Sequence, residues 1–209
     1  MDATISAPTL ITSAIGLLTI TNPIGTLPIF LSLTKDETPA KQRRMALLVG
    51  LAVIAVLAVS LAAGNLILGL FDIDMTAFKI AGNILVAMIG WAMLTAKASP
   101  VTVAPGQSPV VVPLAIPVLA GPGAIALVIT FAHGYTTVLD WVAGAVIVIA
   151  VGALVGAVYF AGPTIAKLLK ETGMQILTRV FGLLLLAIAL QTILASLGEA
   201  FPGLVPAST

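Results

Sequence analysis

The stretch LLVGLAVIAVLAVSLAA, residues 47–63, holds no charged residue and a single hydroxyl. It does not alternate apolar and polar residues, as a strand of a transmembrane barrel would. With its flanks it reaches the roughly 20 apolar residues that cross about 30 Å of hydrocarbon as a helix. The rest of the chain is built the same way: of 209 residues, 60% are hydrophobic and 8% charged, and the mean hydropathy is +1.20. A soluble domain carries about 25% charged residues. This chain cannot cover a water-facing surface, and it reads as an all-α polytopic membrane protein.

Composition removes several function classes. A net charge of +1 gives no basic surface for nucleic acid. With no cysteine and one histidine, His133, the chain has neither disulfides nor thiol chemistry, and a zinc site is not expected. An intramembrane enzyme would need a nucleophile with its base, paired acids or metal ligands. No Asp or Glu lies deep in a span, so no enzyme activity and no cofactor are expected, and any metal site stays unknown. The N-terminal MDATISAPT has an acid and no Lys or Arg, so the first apolar run reads as a retained span, not a secretory signal.

Apolar runs between charged or Pro/Gly-rich breaks give six transmembrane helices, at about 10–33, 44–71, 76–96, 111–132, 139–161 and 175–197. Thr38 and Pro39 fit an N-cap and first helical residue leading into the second. Lys35, Lys41, Arg43, Arg44, Lys97, Lys167, Lys170 and Arg179 fall on one side, and only Lys79 falls on the other. The positive-inside rule makes the first side cytoplasmic and puts both termini outside.

The third and sixth spans align without a gap. FKIAGNILVAMIGWAML (78–94) lies over TRVFGLLLLAIALQTIL (178–194), with Lys79 on Arg179, Gly82 on Gly182 and Leu85 on Leu185. In the first and fourth spans, Asn22-Pro23-Ile24-Gly25 lies over Gly121-Pro122-Gly123-Ala124. Three helices per half make the second half enter from the opposite side. The expected organisation is therefore a first repeat at 1–96, a cytoplasmic linker at 97–110 and an inverted repeat at 111–209.

Helices 1 and 4 are then both broken near the midplane. Pro23 should free the Thr19 carbonyl and Pro28 that of Ile24; Pro122 should free that of Val118, and Pro117 that of Pro113. Half-helix amides begin near Gly25–Leu27 and Gly123–Ile125, where an anionic group is favoured. Paired interrupted helices point to a secondary transporter's binding site. The candidate substrate-binding residues are Thr19, Asn22, Pro23, Gly25, Thr26, Val118, Gly121, Pro122, Gly123 and Ala124. Amides would hold a carboxylate, and freed carbonyls with Asn22 would hold an ammonium, which makes a small zwitterion the expected partner alongside the lipid bilayer. Taken singly, either break also reads as a proline kink repaired by neighbouring threonines. Asn65, Asn83, Thr130, Gln191 and Thr192 read as interhelical glue, Gly152 and Gly156 as close packing or dimerisation, and Lys79 and Arg179 as snorkelling or functional.

At NPIGTLPIFLSLT and VPLAIPVLAGPGAI the sequence resembles the MarC family of bacterial and archaeal inner-membrane proteins, and RVFGLLLLAIALQTIL is similar to that family's last helix. The resemblance spans essentially the whole chain. It implies transport of small neutral amino acids such as glycine and alanine, with Asn22, Pro23, Gly25, Gly121, Pro122 and Gly123 as the residues carried over by motif. The expected activity is alternating access across the inner membrane, coupled to Na⁺ or H⁺. An exporter of amino acids or other metabolites, a non-transporting scaffold subunit, and a homo-oligomer all stay open.

Overall fold

The structure, a computed structural model, describes residues 5–95 and 119–201. Helix α1 (Ala7–Thr21) and α2 (Pro23–Leu33) share one apolar span interrupted at Asn22; α3 (Pro39–Leu70), α4 (Met75–Thr95) and α5 (Pro122–His133) follow. The last helical run, Val138–Ala200, is divided at Lys170, where φ is 54° and ψ −178°. Its parts are α6 (Val138–Lys170) and α7 (Thr172–Ala200). The described residues thus contain five spans long and apolar enough to cross a membrane, the short apolar α5, and no strand.

Local chemistry sets the helix ends. Thr38 caps α3, its side chain accepting from Lys41 N at 3.4 Å with Pro39 in the first turn. The helix therefore starts at Pro39, earlier than the expected 44, because a cap and a good first residue precede the apolar run. At its other end Asp72 takes a left-handed φ of 50°. Asp72 N then reaches Gly69 O at 3.2 Å and Ile73 N reaches Leu68 O at 2.9 Å, closing a Schellman-type turn. Asp74 opens α4 by accepting from Thr76 N at 2.8 Å and Ala77 N at 3.1 Å. The backbone donors, Ala77 first, hold its carboxyl below the usual range. Thr137 and Asp140 form a capping box at the start of α6, and Asp140 Oδ1 also accepts from Ile5 N at 2.9 Å, tethering the N-terminal segment.

Two expectations change. The fifth span does not end near 161 but runs to Lys170, so Lys167 is helical and Lys170 is the residue at which the helix breaks. Apolarity ends there, but Ala166, Leu168, Leu169 and the lysines are good helix formers and carry the helix out of the apolar stretch. The chain then doubles back. Ala157 and Leu177 line one groove, whereas in an unbroken helix twenty residues would separate them by about 30 Å. The expected linker 97–110, the start of the fourth span, Pro113, Pro117 and Val118 lie outside the described residues.

Glycines bring the long helices together in antiparallel pairs. A methyl group on Gly50 of α3 would lie 2.8 Å from Gly152 O and 3.0 Å from Gly156 Cα, both on α6. Gly156 in turn faces Ala46 O, and Gly152 faces Ile54, so residue numbers rise on α3 as they fall on α6. The Gly152/Gly156 pair is therefore used for packing inside the chain. On the other side, a methyl group on Gly90 of α4 would lie 2.8 Å from Gly182 O, and one on Gly182 would lie 2.8 Å from Met93 Cβ. Lys79 Nζ meets Glu199 Oε2 at 3.5 Å, so α4 and α7 also run antiparallel. Between these pairs, Val49, Val53 and Leu57 of α3 pack with Val155 and Tyr159 of α6 and with Leu17, Leu27 and Phe30 from the interrupted span.

Chain ends sort by charge. One end joins Ile5 to Asp140, Asn65 to His133 at 3.4 Å, and Lys79 to Glu199. The opposite end carries Lys35, Lys41, Arg43 and Arg44 beside the start of α3, and Lys167 and Lys170 at the end of α6. Arg43 lies over the Phe160 ring at 5.1 Å, joining those two elements. Replacing Gly50 with Val would wedge α3 from α6 at a cost of about 1–3 kcal/mol, read as a lower unfolding midpoint in detergent. Gly69, with nothing within 4 Å of an added methyl group, is the control: Gly69→Val should leave the midpoint within a degree or two of Gly69→Ala.

Candidate binding site

The first interruption is closed by its own side chains. Asn22 has φ 39° and ψ 61°, a left-handed conformation that asparagine tolerates better than most residues. It ends α1, its N–H reaching Leu18 O at 3.0 Å, and starts α2, its Oδ1 accepting from Gly25 N at 3.1 Å. Pro23 brings no N–H to Thr19 O. Hydroxyls cover the neighbouring carbonyls: Thr21 Oγ1 donates to Leu17 O at 2.9 Å, and Thr26 Oγ1 donates to Asn22 O at 2.9 Å. Thr26 Oγ1 accepts from the hydroxyl of Tyr159 at 2.8 Å. That tyrosine is fully buried and stacks on Phe30 with ring centroids 4.6 Å apart. Gly25 leaves room for Asn22 Nδ2 and Phe181, so its lack of a side chain has a packing reason.

The second interruption borders open space. Gly121, extended at φ −70° and ψ 171°, precedes α5. Pro122 sits against Gly82 of α4, where any side chain would collide with the proline ring. The first regular bond of α5 is Ile125 N to Gly121 O at 2.9 Å, so the amides of Gly123 and Ala124 lack an intrahelical acceptor. A methyl group on Gly123 would stand 3.3 Å from Ile20 Cγ2 and 3.8 Å from Asn83 Nδ2. The start of α5 therefore lies beside the end of α1, two residues before Asn22.

Here a cavity of about 200 Å³ opens between α1, α4, α5 and α7. Ile20, Gly123, Ala126, Leu127, Ile188 and Ala195 supply much of its wall. Its polar atoms come from Lys79 and Asn83 on α4, Thr130 on α5, and Thr192, Ser196 and Glu199 on α7. Asn83 Nδ2 donates to Lys79 O at 2.8 Å, Thr130 Oγ1 to Ala126 O at 2.7 Å, and Thr192 Oγ1 to Ile188 O at 2.9 Å. Among the described residues these side chains bond only back to their own helices, where interhelical glue was the expectation. Among the residues so described, only Asn65 meets another helix, through His133.

Residues 7–201 match the family described as MarC family integral membrane protein. The chain belongs to the MarC family. The UPF0056 membrane protein YhcE of Escherichia coli strain K12 is 36% identical over 200 residues, which cover 91% of this chain and 93% of that protein. YvbG of Bacillus subtilis strain 168, also a UPF0056 membrane protein, is 35% identical and covers 90% and 93%. The UPF0056 inner membrane protein MarC of Escherichia coli O1:K1 / APEC is 30% identical and covers 88% and 91%. No solved structure matches. With five spans and the short α5, this MarC-family chain is a multi-pass protein of the cell membrane.

Of the residues picked out by sequence, Gly123 lines the cavity, whereas Gly121, Pro122 and Ala124 are not among its lining, Ala124 being fully buried in the core. Thr19 is exposed, its hydroxyl donating to Ile15 O at 2.8 Å. Asn22, Pro23, Gly25 and Thr26 form the closed interruption and are not among the cavity's lining. Val118 lies outside the described residues. Sequence reasoning weighed Lys79, Asn83, Thr130 and Thr192 separately and passed over Ser196 and Glu199. Their i, i+4 spacing on α4 (79, 83) and their i, i+3, i+4 and i+7 spacing on α7 (192, 195, 196, 199) was the available signal.

Asn22→Gly keeps the left-handed backbone and gives up one capping bond, so it should cost a few tenths of a kcal/mol. Asn22→Ala loses the cap and strains the backbone, about 1–2 kcal/mol more. Thermal unfolding of both proteins in detergent checks the order; equal losses would remove the left-handed constraint.

Proposed function

We propose that this MarC-family protein is a secondary transporter of small zwitterionic amino acids, of the size of glycine and alanine, and not an enzyme. The observation that carries this reading is the 200 Å³ cavity beside the N-terminus of α5. A water molecule's share of liquid volume is about 30 Å³, so the space holds about six or seven heavy atoms. Glycine has five, alanine six. The α5 N-terminus at Gly123 favours a carboxylate, and the walls of Ile20, Ala126, Leu127 and Ile188 suit a small apolar side chain.

The antiparallel pairing of α3 with α6 and of α4 with α7 supports the reading of two inverted three-helix repeats. So does the way each interruption meets the last helix of the other half: Gly25 faces Phe181 of α7, and Pro122 faces Gly82 of α4. The two sides differ in access. The cavity reaches the end that holds Lys79 and Glu199, which the positive-inside rule makes the outer one. Towards the basic end, the polar groups of the interruption at Asn22 are covered by Thr26, Tyr159 and Phe30, and the groove of about 480 Å³ beside Ile24 and Leu27 is lined by apolar residues alone. This arrangement suits an outward-open state. Rocking the halves about the interruptions would close the cavity and open its counterpart. Neutral oxygens at Asn83, Thr130, Thr192 and Ser196 leave Na⁺ or H⁺ as the coupling ion.

Labelled glycine or alanine should enter proteoliposomes containing the protein under an inward Na⁺ or proton gradient, each varied alone. Gly123→Val, which fills the cavity floor against Ile20, should cut uptake about tenfold or more while the protein elutes and unfolds as wild type does. Efflux without uptake would favour an exporter. Neither flux nor thermal stabilisation by any small amino acid would favour a scaffold subunit.

A further inference from the structure

Among the described residues lining the cavity, Lys79 and Glu199 are the only charged ones, and they stand together at its mouth. Their Nζ–Oε2 separation is 3.5 Å, with side chains 26% and 58% exposed. The pair is loose compared with Lys41–Glu37 at the basic end, which closes to 2.7 Å. Beneath Lys79, one helical turn into α4, lies Asn83. Beneath Glu199 lie Ser196, Ala195 and Thr192, which continue the cavity along α7. The mouth therefore offers one cation and one anion, followed by neutral polar groups.

We propose that Lys79 and Glu199 form a charge-matched selectivity gate, admitting zwitterions by exchanging their mutual bond for bonds to a substrate's carboxylate and ammonium. This inference rests on the transport reading of the same cavity and names what that cavity selects. A half-exposed ion pair contributes little, on the order of 0–1 kcal/mol, so opening it costs little. A molecule carrying both charges on neighbouring atoms leaves neither residue unpaired. A monocation would satisfy Glu199 and leave Lys79 facing the cavity alone, and a monoanion would do the reverse; an unpaired charge at the edge of a low-dielectric space is the costly outcome. The gate thus discriminates by balance of charge, and the cavity below it by size.

The test is ligand-induced thermal stabilisation of the purified full-length protein with glycine, ethylammonium and propionate, alongside glycine uptake. In the wild type glycine should stabilise and the two singly charged probes should not. Lys79→Met should weaken the glycine response about tenfold or more and bring out a response to ethylammonium. Glu199→Gln should weaken glycine similarly and bring out propionate. Glu37→Gln, which breaks the pair at the basic end, should keep the wild-type order. If Lys79 and Glu199 only tie α4 to α7, both variants will lower the unfolding midpoint and keep glycine as the preferred probe, which overturns the gate. A wild type that responds to glycine, with variants of unchanged preference, overturns the gate and leaves the transport reading standing. A wild type that neither takes up nor is stabilised by any amino acid overturns both.

Discussion

A helix crossing hydrocarbon must satisfy every backbone N–H and C=O from within, and the organisation of this protein follows from two places where that condition is broken. At Asn22 the repair is local. One asparagine serves as the last cap of α1 and the first cap of α2, two threonine hydroxyls cover adjacent carbonyls, and a buried tyrosine closes the network. At Gly121–Pro122 the repair is incomplete within α5, and the space beside its first turn at Gly123 is a cavity. The same physical problem leaves an apolar groove beside the break in one half of the chain and a cavity with polar residues in its wall in the other.

Close helix approach is what places these interruptions. Gly50 with Gly152 and Gly156, and Gly90 with Gly182, let backbones touch where any side chain would separate them. In lipid there is no hydrophobic gain from bringing two apolar helices together, so such contacts depend on dispersion and fit. Gly82 applies the same device to the start of α5, seating Pro122 directly on α4. The position of the α5 amides is thus set by a glycine on another helix, not by α5 itself.

Much of this was legible in the amino-acid order. Apolar runs of spanning length, the cap at Thr38–Pro39, and the motifs NPIG and GPG each name a local event governed by nearby residues. The end of α6 was not legible in apolarity, because Ala166–Lys170 leaves the apolar stretch while remaining good helix. The cavity was legible only at Gly123. Asn83, Thr192, Ser196 and Glu199 come together through the antiparallel packing of α4 on α7, a relation between segments about a hundred residues apart that no short motif records. In Asn22 and Thr26 the sequence marks an unusual backbone correctly, yet their polar atoms are already engaged with that backbone.

The seating of Pro122 on Gly82 also bears on how the molecule is assembled during synthesis. The first interrupted span carries most of its repair, the Asn22 cap and the Thr21 and Thr26 hydroxyls, and awaits only Tyr159 of α6 to close the network. The second does not: its α5 amides acquire their surroundings only when α4, made earlier, and α7, made last, are both in place. The cavity is therefore a late product of biogenesis, absent from either half alone, and it comes into being only as the final helix docks.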